Sequence, residues 1–211
     1  MKPRKEYYQT TAKELIKKLE KRRMEAYYCD NKEEAVAKIM ELLSKGASVS
    51  WGGSMTLEEL ELKPKIIAGN YEVYDRSGAE TEEEKEQIYH WALNCDYYLM
   101  SANAITKTGK LINIDGRGNR LAALVYGPKN VIVTVGMNKL TPDEKTARLR
   151  VKEKAAPINA MRLDRETPCV EKGSCFDCLG DSSICSQTVI TRRSHVKNRI
   201  KVVLIGERLG Y

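Results

Sequence analysis

Apolar positions along this chain alternate between two rhythms, one of helical spacing and one of short unbroken runs. Ala12, Leu15, Ile16 and Leu19 share one helical face, and Thr11-Ala-Lys-Glu14 has the form of a capping box at its start. A strand is predicted over Glu25–Cys29. A second box, Asn31-Lys-Glu-Glu34, opens a helix with Val36, Ile39, Met40 and Leu43 inward, which Gly46 closes. Ala47–Trp51 reads as the next strand, and Tyr71–Asp75 as another. Thr81-Glu-Glu-Glu84 caps a helix running to Asn94 with Ile88, Trp91 and Ala92 inward. Tyr97–Met100 and Asn130–Gly136 are apolar runs of strand length, the second apolar apart from Thr134 and therefore expected to be buried on both faces. Thr141-Pro142-Asp-Glu144 predicts a further helix with proline at its first position. Strands alternating with helices predict an α/β fold, a mainly parallel sheet covered by helices.

Two stretches break these rhythms with small and polar residues. After the strand at Trp51 come Gly52, Gly53 and Ser54, with Thr56 and Glu59 in capping-box register. After Met100 comes Ser101-Ala-Asn103-Ala-Ile105-Thr106-Lys-Thr108-Gly109, a hairpin turn predicted at Gly109, and then Asn113-Ile-Asp115-Gly116-Arg117-Gly118-Asn119-Arg120. Asn119 is placed to cap the apolar segment Leu121–Val125. Polar, glycine-rich segments at the carboxyl ends of parallel strands are where open α/β sheets bind ligands. A small anion is therefore expected between Gly52, Gly53 and Ser54 on one side and Asn103, Thr106, Asp115, Gly116, Gly118, Asn119 and Arg120 on the other. Arg120 would pair with its carboxylate or phosphate and Asn103 would orient it. Three common motifs are excluded. Gly-Lys-Ser/Thr is missing after the first glycines, so there is no Walker A loop there. Position 56 is Thr, so Ser54 is not in a nucleophile elbow. Position 121 is Leu, so Gly116-x-Gly118 is not a dinucleotide fingerprint.

Beyond residue 160 the chain changes character, which divides it into an α/β body, 1–160, and a segment 161–211 that packs on the same domain. Pro157 is expected to mark the exit from the preceding helix. Cys169, Cys175, Cys178 and Cys185 hold four of the six cysteines in one loop loosened by Gly173 and Gly180. Four thiolates suit an iron–sulfur cluster or tetrahedral zinc, while the Cys-x2-Cys pair alone would also suit redox exchange. Cys29 and Cys95 fall in core-like runs and read as small buried hydrophobes. Gln187–Thr191 and Arg199–Gly206 read as strands, with Arg192, Arg193, Lys197 and Arg199 as a basic cluster expected to be a solvated turn. Neither His90 nor His195 has partners at metal-ligand spacing.

Composition narrows the classes. The 211 residues carry a net charge of +7, but their 31% charged content is mostly Lys interleaved with Glu, the pattern of solvated helix faces. No aromatic–basic motif for nucleic acid stands out, and no apolar run reaches membrane-spanning length, so a cytoplasmic protein is expected.

Trp51-Gly-Gly-Ser-Met-Thr56, Ser101-Ala-Asn-Ala-Ile-Thr106-x-Thr108-Gly109, Asn113-x-Asp115-Gly116-x-Gly118-Asn119-Arg120 and Gly127-Pro128-Lys129 occur in this order. Together they resemble the LUD-domain (lactate utilisation) proteins, formerly a domain of unknown function, from the first helix to about Asn159. The resemblance implies a fold like ribose-5-phosphate isomerase and the CoA transferases. It further implies a link to oxidation of L-lactate to pyruvate, with a protein partner in that system. Small members with such a tail resemble iron–sulfur proteins, which makes a [4Fe–4S] cluster on Cys169, Cys175, Cys178 and Cys185 the expected cofactor, with zinc the alternative. It supplies no catalytic residue. Two other functions stay open: a CoA- or phosphosugar-handling enzyme of the same fold, and a non-catalytic zinc-bearing partner subunit. An oligomer is compatible with all three.

Overall fold

The computed structural model describes residues 2–211. In chain order the elements are α1 (Lys2–Lys21), β1 (Glu25–Cys29), α2 (Lys32–Leu42), β2 (Ser48–Trp51), α3 (Met55–Glu59), α4 (Leu62–Ile67), β3 (Glu72–Tyr74), α5 (Glu82–Asn94) and β4 (Tyr97–Ser101). Then follow β5 (Ala104–Thr106), β6 (Leu111–Asp115), α6 (Asn119–Val125), β7 (Asn130–Gly136), β8 (Leu140–Thr141), α7 (Glu144–Arg150), α8 (Ala156–Arg162), α9 (Pro168–Lys172), β9 (Gln187–Thr191) and β10 (Ile200–Ile205).

The main sheet has six strands in the order β1-β10-β7-β4-β2-β3, every pair parallel. Side chains alternate across it as the pleat requires. Val131, Val133 and Val135 of β7, Tyr98 and Met100 of β4, and Val202 and Leu204 of β10 face one way, onto α1, α5 and α6. Ile132, Leu99, Val203 and Ile205 face the other way, onto α2, α3 and α4. The near-continuous apolar runs of β4, β7 and β10 are the signature of strands covered on both sides.

β10 occupies the slot between β1 and β7, in full parallel register with both. Residues 161–211 therefore complete the main sheet, and no fold boundary lies at residue 160.

A second, four-stranded sheet, β8-β5-β6-β9, stands at the carboxyl edge of the first. Its centre is the expected β5–β6 hairpin, turned at Gly109, whose φ of +83° suits a residue without Cβ. Ala104 and Ile112 of this sheet pack on Ala147 and Val151. The helix that supplies those two runs on past Pro157 to Arg162, so the exit expected at Pro157 does not occur. Instead the backbone widens into a π-turn over Val151–Ala155, where Ala156 N–H donates to Val151 O. The wider turn precedes the proline, which lacks an N–H and would crowd the carbonyl four residues back in a regular helix.

Capping was legible in places. Asn31 and Thr81 accept from the amides of Glu34 and Glu84, as expected. Other start signals misplace the element. Thr11 lies inside α1, which starts at Lys2. Ser54, not Thr56, caps α3 through Leu57 N–H. Asp143, not Thr141, caps α7, and Thr141 is the last residue of β8. Gly118, at φ +91°, precedes α6, so Asn119 is its first residue and not its cap. α2 ends at Leu42, and Gly46 sits in the turn beyond it, its N–H donating to Asn70 O. Trp91 is exposed and leans on Tyr74 instead of entering the core.

Candidate functional site

The carboxyl ends of β2, β4 and β7 open onto the small sheet, and the polar stretches after β2 and β4 meet there. Arg120 organises the junction. It projects back from α6, and all five of its N–H donors have partners. Nε donates to Asp115 Oδ2 at 3.0 Å. Nη1 donates to Ser101 O at 3.0 Å and Asn113 Oδ1 at 2.8 Å. Nη2 donates to Asn103 Oδ1 at 3.1 Å and Ile114 O at 2.6 Å. Asp115 uses its second oxygen to accept from Gly118 N–H, and Asn103 Oδ1 also accepts from Ile114 N–H. Gly52 makes room for the arginine stem, since a Cβ there would lie 3.0 Å from Arg120 Cδ. The guanidinium thus bolts the hairpin and α6 to the end of β4. It has no N–H left for the ligand the sequence assigned to it.

Beside this bolt lies a cavity of about 270 Å³. Of the residues expected at a ligand site, Gly53, Ser54, Asn103, Asp115, Gly116, Asn119 and Arg120 line it. Gly52, Thr106 and Gly118 do not. Thr106 is fully buried and secures the hairpin turn by accepting from Lys110 N–H. The wall also holds residues that the sequence pattern did not mark: Arg76, Lys139, Arg162, Arg165 and Tyr211. Arg162 arrives on α8, where it donates from Nε and Nη2 to Asn159 Oδ1. Lys139 ends the short turn Met137–Lys139 after β7 and is only 3% exposed. Burial, and then the repulsion of Arg150 and Arg120, hold its ammonium down to about 7, against a weaker pull from Glu59. No local signal distinguishes this lysine in the sequence, because its environment is assembled from Thr56, Ser101 and Gly210.

The lining has five arginines, Arg76, Arg117, Arg120, Arg162 and Arg165, beside the Lys139 amine, and one side-chain carboxylate, Asp115. That carboxylate is already taken by Arg120. The field in the cavity is therefore strongly positive. The basic cluster at residues 192–199 does not contribute. Arg192, Arg193 and His195 border a separate groove, and Arg199 donates to the carbonyls of Ala123, Leu124 and Pro128 behind α6.

The cysteine loop borders the cavity through Ile184, which packs so closely that a Cβ on Gly116 would lie 3.2 Å from its Cα. Cys169 is on α9, and Cys175, Cys178 and Cys185 follow in the loop. Although Cys185 is exposed, partial desolvation, and then the neighbouring thiols of Cys175, Cys169 and Cys178, push it up to about 11. Among the described residues, no three His, Cys, Asp or Glu side chains converge tightly enough to form a closed ligand set. Cys29 and Cys95 are buried, as expected of core residues. Among the described residues, no helix is long and apolar enough to cross a membrane.

The model of the LUD domain matches residues 12–205. The structure is similar to that of a DUF162 family protein from Deinococcus radiodurans, with a TM-score of 0.54 at 13% identity over 94% of this chain and 98% of that one. Partial likenesses extend to eIF2B delta from Chaetomium thermophilum (TM-score 0.37, 16% identity, 56% of this chain and 51% of that one). Another is to ribose 5-phosphate isomerase A from Methanocaldococcus jannaschii (TM-score 0.35, 18% identity, 52% of this chain and 53% of that one). No curated protein sequence matches. DUF162 is the older name of the LUD domain, and the family model spans the parallel sheet, the Arg120 bolt and most of the cavity lining; the chain belongs to the LUD-domain family.

Proposed function

We propose that this protein binds a small carboxylate- or phosphate-bearing metabolite in the Lys139 cavity and serves a lactate-utilisation-type system. One observation carries the reading: five arginines and a single, already neutralised carboxylate line one small cavity at the carboxyl edge of a parallel sheet. A wall with this excess of cations favours an anion, which offsets the repulsion among them. The alternative of an isomerase or transferase working through a carboxylate lacks its catalyst, since both Asp115 oxygens are committed. The site does not rest on the amino end of α3, which is only five residues long. It rests on the side chains.

Titration calorimetry with inorganic phosphate and with L-lactate tests this. Arg162→Ala and Arg165→Ala, which remove cavity cations outside the Arg120 bolt, should each weaken the bound anion by about 1.5–3 kcal/mol. Added salt should weaken it further. Affinity unchanged in both variants would place the anion elsewhere.

We further infer that Cys169, Cys175, Cys178 and Cys185 hold a metal centre, with a [4Fe–4S] cluster favoured over zinc. The donor chemistry supports this: four thiols share one loop, and Cys175, Cys169 and Cys178 lie close enough to Cys185 to raise it. That loop has little core of its own, with Phe176 and Leu179 exposed, so a metal would be what closes it. A bound cluster would supply electron transfer close to the cavity. Single Cys→Ser changes at the four positions should each lower iron or zinc in anaerobically purified protein to a similar extent, whereas Cys29→Ser and Cys95→Ser should not. Metal-free protein whose four loop thiols react freely in the native state would refute the centre.

A further inference from the structure

We propose that Lys139 is a nucleophilic amine that forms an imine with a small carbonyl-bearing anion, such as a 2-oxo acid, held in this cavity. The proposal rests on the anion reading above and adds a reaction to it. Lys139 Nζ donates to Thr56 Oγ1 at 2.8 Å and to Ser101 Oγ at 3.0 Å. Neither hydroxyl is free to donate back. Ser101 gives its hydrogen to Thr134 O at 2.7 Å, and Thr56 gives its own to Leu209 O at 3.4 Å. Both therefore accept from the lysine, and a neutral amine with its two N–H groups so placed keeps its lone pair as the one uncommitted position.

The neighbours favour that neutral form. Glu59 is the acid that acts on Lys139, but its Oε2 accepts from Gly210 N–H, and Arg150 and Arg120 repel a charge on the amine. A lysine kept neutral by burial and nearby cations is the form that attacks carbonyls. In the step proposed, the lone pair forms a bond to the carbonyl carbon. The carbonyl oxygen takes the two amine hydrogens and leaves as water, and a C=N bond remains. No oxidant or reductant is needed. Arg162 and Arg165 would hold the anionic end of the same molecule.

The test uses the intact protein with glyoxylate or pyruvate and sodium cyanoborohydride, followed by peptide mass mapping. At pH 7 Lys139 should gain the reduced adduct about a hundredfold faster than the exposed lysines, whose amines are almost wholly protonated there. Its rate should climb with pH and level off above about 7. Excess inorganic phosphate should slow it, and Lys139→Arg should abolish it. Adducts on exposed lysines with Lys139 unmodified would overturn the proposal, and this result needs no variant to fold. If phosphate binds through Arg162 and Arg165 while Lys139 stays unmodified, the imine fails and the anion site stands. If Lys139 is modified but phosphate neither slows the reaction nor binds, the amine stands and the anion site fails.

Discussion

Arg120→Ala should lower the stability of the protein by about 3–5 kcal/mol, the cost of removing one partner of a buried ion pair and stranding the other. Arg120 and Asp115 side chains are each only 12% exposed. The variant leaves Asp115 without its cation, and it leaves Asn113 Oδ1 and the carbonyls of Ser101 and Ile114 short of a donor. For a chain of this length the loss corresponds to a fall in melting temperature of about 6–20 °C, measured by thermal unfolding followed by circular dichroism. Arg120→Lys should recover little, because an ammonium cannot span five acceptors in the plane of a guanidinium. A variant that melts like the parent but no longer binds phosphate would reverse the assignment and make Arg120 a ligand contact.

A chain ended at residue 186 should not fold. It lacks β9 and β10, and β10 is an interior strand of the main sheet. Ile200, Val202, Val203, Leu204 and Ile205 are each at most 2% exposed. At about 1.5–3 kcal/mol per buried aliphatic side chain, these five contribute roughly 8–15 kcal/mol. That matches the whole net stability of a typical domain, about 5–15 kcal/mol. The gap would also leave β1 and β7 with facing unpaired edges. Near-ultraviolet circular dichroism and limited proteolysis would report the outcome. A cooperative melt in the truncated chain would show that the remaining strands can close the sheet without β10.

The interior strands and both true capping boxes were legible because their signals are local. An apolar run such as Asn130–Gly136 buries both faces wherever it sits, and Asn31 and Thr81 need only the amide three residues on. Thr11, Thr56 and Thr141 carry the same local signal but are overruled by position. Thr56 is one residue inside its helix, where its hydroxyl serves Lys139. The place of β10 between β1 and β7 was not legible, because parallel strands are joined by long crossovers that fix no order. Arg120 reads as central in the sequence, but its five protein acceptors do not. An arginine amid Asn, Asp and Gly reads the same whether it faces a ligand or the backbone, and only the count of its bonds separates the two. Lys139 was missed altogether: nothing in Met137-Asn-Lys139 announces that segments 83 and 38 residues away in sequence will close over it.

The π-turn at Val151–Ala155 sets the angular phase of everything that follows it in the helix. A turn that takes in one extra residue sets the downstream face back by about 100° relative to an uninterrupted helix of the same length. Ala147 and Val151, before the offset, look onto the small sheet; Asn159 and Arg162, after it, look into the cavity. A regular helix of the same length would keep the first contact and rotate the second away, whereas one shorter by a residue would keep both. The wide turn therefore absorbs a single-residue difference in chain length between the small sheet and the cationic wall. A lineage could gain or lose one residue at this turn while the binding surface and every strand kept their places.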